Sequence, residues 1–266
     1  MIAVFRVIWN SFAYRLRMRE ANNLAVSLSM MVAFALPPGD LIYRTLFALV
    51  LNIYAYLIND TCDIEVDVAS ASKKLRQAEY LAAHRSAALA ALLGLAALLL
   101  GAALWHSWLL LLAFVSNTVI IGAYSLWLKR VPFADLLLMA LAGGSMTLVG
   151  ITTDPQSWRL IGLLCLFSAS YETIQVIRDE PEDRAQGVRT TAVLLGATRA
   201  AWIFRLIMVC AAIYGVLLLK SWIPAGLVLT LALPLSPERA ARSWDLVRLV
   251  GGVVWLGLLV QTYLTR

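Results

Sequence analysis

Long apolar runs separated by short polar breaks cover most of the chain from residue 21 onward. A helix needs roughly 20 apolar residues to cross the hydrocarbon core of a membrane, and most of the runs approach that length. The pattern predicts an all-α protein, a polytopic transmembrane helical bundle that forms a single domain over residues 1–266. The predicted spans are 21–37, 41–58, 86–104, 108–128, 133–150, 158–177, 199–219, 222–235 and 246–264.

The eighth of these segments is the weakest candidate for a full span. It contains Pro224 and Pro234, and proline interrupts the backbone hydrogen bonding of a helix. Nine spans are therefore the preferred prediction and eight the alternative. Composition supports the membrane assignment, since 61% of the residues are hydrophobic and only 14% are charged, which excludes a water-soluble domain.

The amino-terminal segment, residues 1–19, has a different pattern. Apolar residues such as Phe5, Ile8 and Trp9 are interspersed with arginines. This alternation predicts an amphipathic helix that lies at the membrane interface and contacts lipids without crossing the membrane.

Basic residues collect on one side of the predicted topology. Of the 22 Lys and Arg residues, only Arg44, Arg159, Lys220 and Arg266 fall on the side opposite to the amino terminus. Cytoplasmic loops are enriched in Lys and Arg, so the amino terminus is predicted to be cytoplasmic. The net charge of +6 is then a result of membrane orientation and gives no reason to expect nucleic-acid binding.

Half of the 16 acidic residues lie in two short segments, both on the predicted cytoplasmic side. The first segment reads Asn59-Asp60-Thr-Cys-Asp63-Ile-Glu-Val-Asp67 and follows the second span. On a helix, residues three, four and seven apart share one face, so the asparagine and the three aspartates are expected to converge. The side chain of Glu65 is expected to point away from this face.

The second segment, 178–187, places Asp179 and Asp183 four residues apart, again on one helical face. Clustered carboxylates repel one another unless cations bind between them. Hard oxygen donors favour Mg²⁺, which commonly completes its coordination with substrate phosphate oxygens, so the two segments together predict a diphosphate site. The alternative is that both segments are solvated loops whose acids balance nearby Lys and Arg. Three cysteines and two histidines offer neither a disulfide framework nor a histidine metal site.

These segments resemble the motifs of the UbiA superfamily of intramembrane prenyltransferases. Residues 59–67 look like its first aspartate motif, and residues 179–190, with Asp179-x-x-x-Asp183-Arg184-x-x-Gly187, look like its second. Residues 124–130, Tyr-Ser-Leu-Trp-Leu-Lys-Arg, are similar to its tyrosine-lysine segment. The resemblance covers the motifs and the helix count along nearly the whole chain.

The resemblance implies a nine-helix bundle around a central cavity, with Mg²⁺ and an isoprenyl diphosphate at its cytoplasmic mouth. The residues that it implies as metal or diphosphate ligands are Asn59, Asp60, Asp63, Asp67, Asp179 and Asp183. The basic residues that it implies for diphosphate binding are Lys129, Arg130 and Arg184. Positive charge beside the diphosphate would stabilise the negative charge that develops on this group as it leaves the prenyl chain. For Lys129 and Arg130, the alternative is a topology anchor at a span end.

Two stretches depart from the family pattern. The family commonly has Gly before the last Asp of its second motif, whereas this chain has Pro181-Glu182, which restricts the backbone and adds a charge. After the first motif, residues 73–77, Lys-Lys-Leu-Arg-Gln, replace an Arg-Pro-containing stretch. The basic partner that the family takes from this loop is therefore unassigned.

Polar residues inside the predicted spans indicate a cavity, because such residues are costly in lipid and usually face a cavity or another helix. The candidate cavity residues are Asn52, Tyr56, Asn117, Tyr124, Tyr171 and Gln175. Glu172 is the candidate for acceptor binding or proton removal. Hydrogen bonding between helices is the alternative explanation for each.

The preferred function is a Mg²⁺-dependent prenyltransferase that ionises an isoprenyl diphosphate and transfers the prenyl group to an aromatic or lipid acceptor. Asp60, Asp63, Asp179 and Asp183 would form the catalytic set together with Glu172. A terpene cyclase of the same superfamily, acting without an acceptor, is the first alternative. A cation transporter is less favoured, because transporters usually hold ions near the membrane midplane and these acids lie at its edge.

Overall fold

A computed structural model describes residues 2–17, 22–69 and 75–266, in which helices form the only regular secondary structure. The α-helices are α1 (Ile2–Arg17), α2 (Asn22–Ala33), α3 (Pro38–Cys62), α4 (Ile64–Ala69), α5 (Leu75–Ala83), α6 (Arg85–His106), α7 (Trp108–Leu126), α8 (Ala134–Thr147), α9 (Pro155–Ala185), α10 (Thr191–Leu195), α11 (Ala197–Leu218) and α12 (Ala240–Leu264). Three 3₁₀ helices cover Leu128–Arg130, Leu148–Gly150 and Ile223–Ala232. The all-α prediction is confirmed. The end of the predicted amphipathic segment and the loop residues Lys73 and Lys74 lie outside the described residues.

Six helices of the described chain, α3, α6, α7, α9, α11 and α12, are long and apolar enough to cross a membrane. Three shorter apolar helices, Asn23–Ala33, Ala134–Gly150 and Ile223–Ala232, fall at the predicted first, fifth and eighth spans. The exact number of nine spans therefore stays a prediction.

The eighth segment differs most from a regular span. Pro224 stands in the first turn of the 3₁₀ helix Ile223–Ala232, and Pro234 follows its end. Ten residues at a rise of about 2.0 Å each reach about 20 Å, short of the roughly 30 Å hydrocarbon core. This geometry suits a partial span, the alternative that the prolines suggest.

Two compact units divide the chain, and each is described separately. The first comprises Met1–Met31, Leu36–Leu126 and Ser145–Gly150. Within it, α3 packs against α6 and α7, and α1 lies against α3 and α6. The first aspartate motif, residues 59–67, belongs to this unit.

The second unit comprises Val32–Ala35, Trp127–Gly144 and Ile151–Arg266. Within it, α9 packs against α11, α12 and α10, and the 3₁₀ helix Ile223–Ala232 packs against α11 and α12. A buried apolar cluster holds the end of α9 against α10 and α11: Leu136, Val176, Ile177, Ala192, Ala200 and Ala201. The second aspartate motif, residues 179–190, begins directly after this cluster.

The start of α9 is fixed by a cap. Asp154 precedes Pro155, which occupies the first turn, and its carboxylate accepts a hydrogen bond from the Gln156 N–H at 2.7 Å. This bond, together with the nearby Arg266 guanidinium, holds the pKa of Asp154 below its usual value. The carboxylate therefore stays ionised at neutral pH at the helix end where negative charge is favourable.

Helix α1 is amphipathic, with its small polar face turned inward. Val7, Ser11 and Arg15, spaced four apart, are its buried residues. The exposed side chains include large apolar ones: Ile2, Phe5, Trp9 and Leu16. An exposed apolar face of this kind is suited to contact with lipid.

Helix α11 approaches the 3₁₀ helix Ile223–Ala232 most closely at Gly215. A Cβ atom at Gly215 would lie 2.3 Å from the Cβ and Cγ atoms of Pro224, closer than two non-bonded carbon atoms can approach. Gly94 in α6 has nothing within 4 Å of the same position. The contact between the Gly215 backbone and the Pro224 ring thus sets the distance between these two elements.

Gly215→Ala should destabilise the protein by about 1–3 kcal/mol, because the added methyl group forces the two elements apart. The midpoint of thermal unfolding in one detergent measures the effect. Gly94→Ala is the matched control: the same substitution in open space should leave the midpoint unchanged or raise it, since alanine favours the helix. Equal midpoints for the two variants would show that the contact is unimportant.

Candidate functional site

The first aspartate motif lies where α3 ends. Helix α3 stops at Cys62, Asp63 caps it with φ −91° and ψ 0°, and α4 starts at Ile64. The helix is therefore interrupted within the first motif, and Asp67 lies on a separate short helix, while the convergence of the four side chains stays a prediction. Aspartate favours such breaks because its side chain competes for backbone hydrogen bonds. The Asp67 N–H still donates to the Asp63 carbonyl at 2.8 Å, so the chain continues in nearly the same course.

Asp60 is buried, with 3% exposure, and donors surround its carboxylate. The Arg15 guanidinium of α1 forms an ion pair with Oδ1. The Gln77 side chain of α5 donates to Oδ2 at 2.7 Å, and the Ser11 hydroxyl of α1 lies 3.5 Å from the same atom. Both carboxylate oxygens therefore have partners from other helices.

The guanidinium that holds Asp60 also covers an aromatic ring. The Cζ atom of Arg15 lies 4.1 Å from the centroid of the Tyr56 ring, one helical turn before Asp60 on α3. Arg15 thus combines an ion pair with a cation–π contact at two of the predicted site residues.

The other residues of the first motif differ in exposure. Asn59 is half-buried and its Oδ1 accepts a hydrogen bond from the Ser125 hydroxyl of α7 at 3.2 Å. Asp63 is buried and Asp67 half-buried, whereas the side chain of Glu65 is 82% exposed and meets Arg85 at 3.3 Å. The structure thus separates Glu65 from the buried acids, as predicted from its spacing.

Three amides of the first unit have buried atoms that lack a hydrogen-bond partner among the described residues: Asn52 Nδ2, Gln77 Oε1 and Asn117 Oδ1. The Nδ2 atom of Asn117 donates to the Ser145 hydroxyl at 3.3 Å, so part of this side chain serves contact between helices. Unsatisfied buried amide atoms cost about 1–3 kcal/mol each and indicate water or ligand nearby. Tyr124, two turns after Asn117 on α7, is half-buried.

The second motif differs from the first because α9 continues through it to Ala185, with Pro181 inside the helix. The predicted span 158–177 is therefore part of a longer helix of 31 residues. Asp179 forms two hydrogen bonds with Arg178, at 2.7 and 2.8 Å. Asp183 accepts a hydrogen bond from the Thr190 hydroxyl at 3.4 Å.

Neighbouring charges of the second motif pair along the helix. Arg184 donates to Glu180 at 2.8 Å and to the Val193 carbonyl at 3.2 Å. Glu182 is exposed and bonds to Gln186 at 3.0 Å. Arg184, a predicted diphosphate ligand, thus joins the helix to α10 in this structure.

Further along α9 towards its start lie the predicted cavity residues of the second unit. Glu172 is buried, with 6% exposure, and the Tyr171 ring meets Trp244 of α12 edge-on at 6.2 Å. Gln175 lines a cleft of about 250 Å³, whose other lining residues are Ile174, Arg178, Ala240, Ala241, Trp244 and Asp245. Space for a small polar group therefore exists beside the second motif.

The predicted basic pair occupies the 3₁₀ helix Leu128–Arg130. Lys129 is half-buried and Arg130 is exposed. Close to them in sequence, the structure reveals a residue that the motif analysis missed, Asp135 at the start of α8. It is 1% exposed and accepts hydrogen bonds from the N–H of Thr191, at 2.7 Å, and from its hydroxyl. Asp135 thereby anchors the segment that follows the second motif.

Arg15 is the other residue that sequence reasoning missed. The four-residue spacing of Val7, Ser11 and Arg15 places these side chains on one face of α1. The large apolar residues of the helix indicate only that the opposite face contacts lipid. Nothing in the local pattern indicated that this face meets Asp60.

The donor chemistry of both motifs fits Mg²⁺. Among the described residues, no group of three or more His, Cys, Asp or Glu side chains is already arranged to hold a metal ion. Mg²⁺ usually takes one or two carboxylates and completes its octahedron with water and phosphate oxygens, so a preformed cage is not required. The buried Asp60 carboxylate already pairs with one cation, the Arg15 guanidinium.

Solved structures share the fold of this chain. A digeranylgeranylglyceryl phosphate synthase has a TM-score of 0.68 at 17% identity, covering 98% of this chain and 99% of its own. A UbiA homologue from Archaeoglobus fulgidus bound to DMAPP and Mg²⁺ has a TM-score of 0.66 at 16% identity, covering 95% and 99%. The apo structure of a UbiA homologue from Aeropyrum pernix K1 has a TM-score of 0.63 at 19% identity, covering 91% and 98%.

Sequence comparison adds to this likeness. A lycopene elongase/hydratase of Halobacterium salinarum is 31% identical over 164 residues, which are 58% of this chain and 57% of that relative. The matched region thus spans little more than half of the relative's length. The sequence profile of the UbiA prenyltransferase family matches residues 24–249, a range that contains both aspartate motifs. The resemblance drawn from the motifs is confirmed: this integral membrane protein belongs to the UbiA prenyltransferase family.

Proposed function

We propose that this protein is a Mg²⁺-dependent intramembrane prenyltransferase, which ionises an isoprenyl diphosphate and transfers the prenyl group to an aromatic or lipid acceptor. The observation that carries the proposal is the position of each aspartate motif at the carboxyl end of a long apolar helix, α3 and α9, inside the region matched by the family. The Archaeoglobus relative that binds DMAPP and Mg²⁺ supports the choice of substrate and metal.

The proposed ligands of Mg²⁺ and the diphosphate are Asn59, Asp60, Asp63, Asp67, Asp179 and Asp183. When bound, Mg²⁺ supplies positive charge that stabilises the departing diphosphate. We place both motifs and the amino terminus on the cytoplasmic side, because the basic residues of the chain favour that orientation.

Three basic side chains would bind the diphosphate oxygens: Lys129, Arg130 and Arg184. Lys129 and Arg130 share one short 3₁₀ helix, so their charges act on the same region. Arg184 is exposed and held by Glu180, which leaves it accessible from water. Each contact gains strength as negative charge develops on the leaving group.

Aromatic and acidic side chains of the spans would serve the prenyl group and its acceptor. The ring faces of Tyr56, Tyr124 and Tyr171 stabilise an allylic cation through cation–π attraction. The apolar side chains of the spans would exclude the water that would otherwise capture this cation. Glu172, a buried carboxylate, orients the acceptor or removes its proton.

The decisive experiment incubates the purified protein with Mg²⁺ and prenyl diphosphates of increasing length, with and without acceptors. The acceptor panel contains aromatic compounds, lipid alcohols and a polyene, the last chosen because of the lycopene elongase/hydratase relative. Diphosphate release coupled to a prenylated acceptor supports the proposal. A cyclic hydrocarbon without acceptor would identify a terpene cyclase instead, and cation flux in liposomes without turnover would identify a transporter.

Asp63→Asn should lower turnover by about 100-fold or more, because it removes one negative charge from the metal site and keeps the side-chain shape. The rate of diphosphate release in nanodiscs measures the loss. Glu65→Gln is the matched control, since it removes the same charge two residues away from an exposed side chain that we place outside the site. Wild-type activity in Asp63→Asn would contradict its role.

Asp183→Asn should have an effect of similar size in the second motif, again by weakening the hold on the metal. Its control is the neighbouring Glu182→Gln, which removes an exposed carboxylate bonded only along the helix to Gln186. Single-turnover rates of the two variants separate chemistry from product release. Equal losses in both would indicate a general effect of negative charge and refute a specific ligand role.

Removal of divalent cations with EDTA should abolish diphosphate release, and added Mg²⁺ should restore it, because the leaving group then lacks its neutralising charge. NaCl at the same ionic strength is the control and should restore nothing. Turnover that persists in EDTA would contradict the metal-dependent reaction.

A further inference from the structure

We propose that Arg15 is a built-in counter-cation of the first aspartate motif that competes with Mg²⁺ for Asp60: the guanidinium pairs with this carboxylate and yields it when Mg²⁺ binds. Helix α1 would then change its contacts with the rest of the first unit as the site fills. The inference deepens the proposed function and rests on it, since it requires Asp60 to be a metal ligand.

Geometry places Arg15 where the metal is needed. The guanidinium pairs with Oδ1 of Asp60, and Gln77 and Ser11 point donors at Oδ2. Each oxygen atom of Asp60 thus already accepts a hydrogen bond, which hinders the approach of a small cation with a strict octahedral shell. Metal coordination by Asp60 therefore requires at least one of the donors to withdraw.

Electrostatics decides which donor withdraws. A carboxylate that is 3% exposed is strongly destabilised without a positive partner, which explains why the Arg15 guanidinium pairs with it. When Mg²⁺ supplies two positive charges at the same carboxylate, it repels the guanidinium, whereas the uncharged Gln77 and Ser11 experience no such repulsion. Arg15 is thus the group that the metal displaces.

Withdrawal of Arg15 would also uncover the ring of Tyr56. Arg15 lies 4.1 Å from the centre of this ring, on a face that we propose for the allylic cation. A guanidinium in that position competes with any other cation for the ring. Release of Arg15 from Asp60 would therefore open both the carboxylate and the ring face together.

Helix α1 is held by a few buried side chains and by its packing against α3, α5 and α6. Its buried residues are Val7, Ser11 and Arg15, and two of these contact Asp60 directly. The apolar residues on its opposite face are exposed and suited to lipid, so they do not tie it to the protein. Loss of the Asp60 contact therefore removes the polar contacts that Ser11 and Arg15 make with α3, while the packing against α6 remains.

Coupling between metal binding and the Arg15 contact must be reciprocal. Arg15→Gln removes the competing charge, so the affinity for a divalent cation should rise by about 5- to 100-fold. Mn²⁺, titrated into full-length protein in nanodiscs and followed by electron paramagnetic resonance, reports this affinity. Arg6→Gln is the matched control: it removes the same charge from an exposed position on the same helix and should leave the affinity near that of the wild type.

Hydrogen–deuterium exchange of the unmodified protein provides a second measurement that needs no variant to fold. Peptides from α1 should exchange faster when Mn²⁺ and inorganic pyrophosphate are present. Mn²⁺ binding with unchanged α1 exchange, or weaker binding by Arg15→Gln than by the wild type, would overturn this inference alone. Absence of Mn²⁺ binding in every form, together with absence of turnover, would overturn the proposed function as well.

Discussion

A charge removed from water needs an opposite charge or several hydrogen bonds, and this requirement governs where the buried acids of the protein lie. Asp60 meets the requirement with the Arg15 guanidinium, and Asp135 meets it with the N–H and hydroxyl of Thr191. Both acids stand close to helix ends, where backbone groups and polar side chains are available. The two aspartate motifs likewise lie at the carboxyl ends of long helices, α3 and α9.

The two motifs satisfy this requirement in different ways. The first has a helix break at Asp63 and two buried acids, so its carboxylates depend on partners from distant parts of the chain. The second lies on the unbroken end of α9, where Asp179 pairs with its neighbour Arg178, Glu180 and Asp183 are half-buried, and Glu182 is exposed. The continuity of α9 also places Gln175 and Glu172 one and two turns before Asp179, on a single rigid element.

The helical segments were largely predictable because a backbone in lipid must satisfy its hydrogen bonds locally, which leaves a long apolar run little choice but a helix. Their ends were less predictable. Helix α9 extends to Ala185 although Pro181 removes one backbone hydrogen bond. The packing of Val176 and Ile177 holds the helix before the proline, and Arg184 bonds to Glu180 and to the Val193 carbonyl after it. The segment around Pro224 became a 3₁₀ helix instead of a regular span, because proline and close packing against Gly215 constrain it.

For this protein, the sequence alone determined the all-α class, the membrane location, the family and the two aspartate motifs, because helix length, apolar runs and residue offsets are local properties of the chain. Only the tertiary structure decided which partners hold the acids. Arg15 and Asp60 are 45 residues apart, and Asp135 and Thr191 are 56 apart. No periodicity along the chain encodes such pairs, since they form only when packing brings separate helices together and burial makes an unpaired charge too unfavourable.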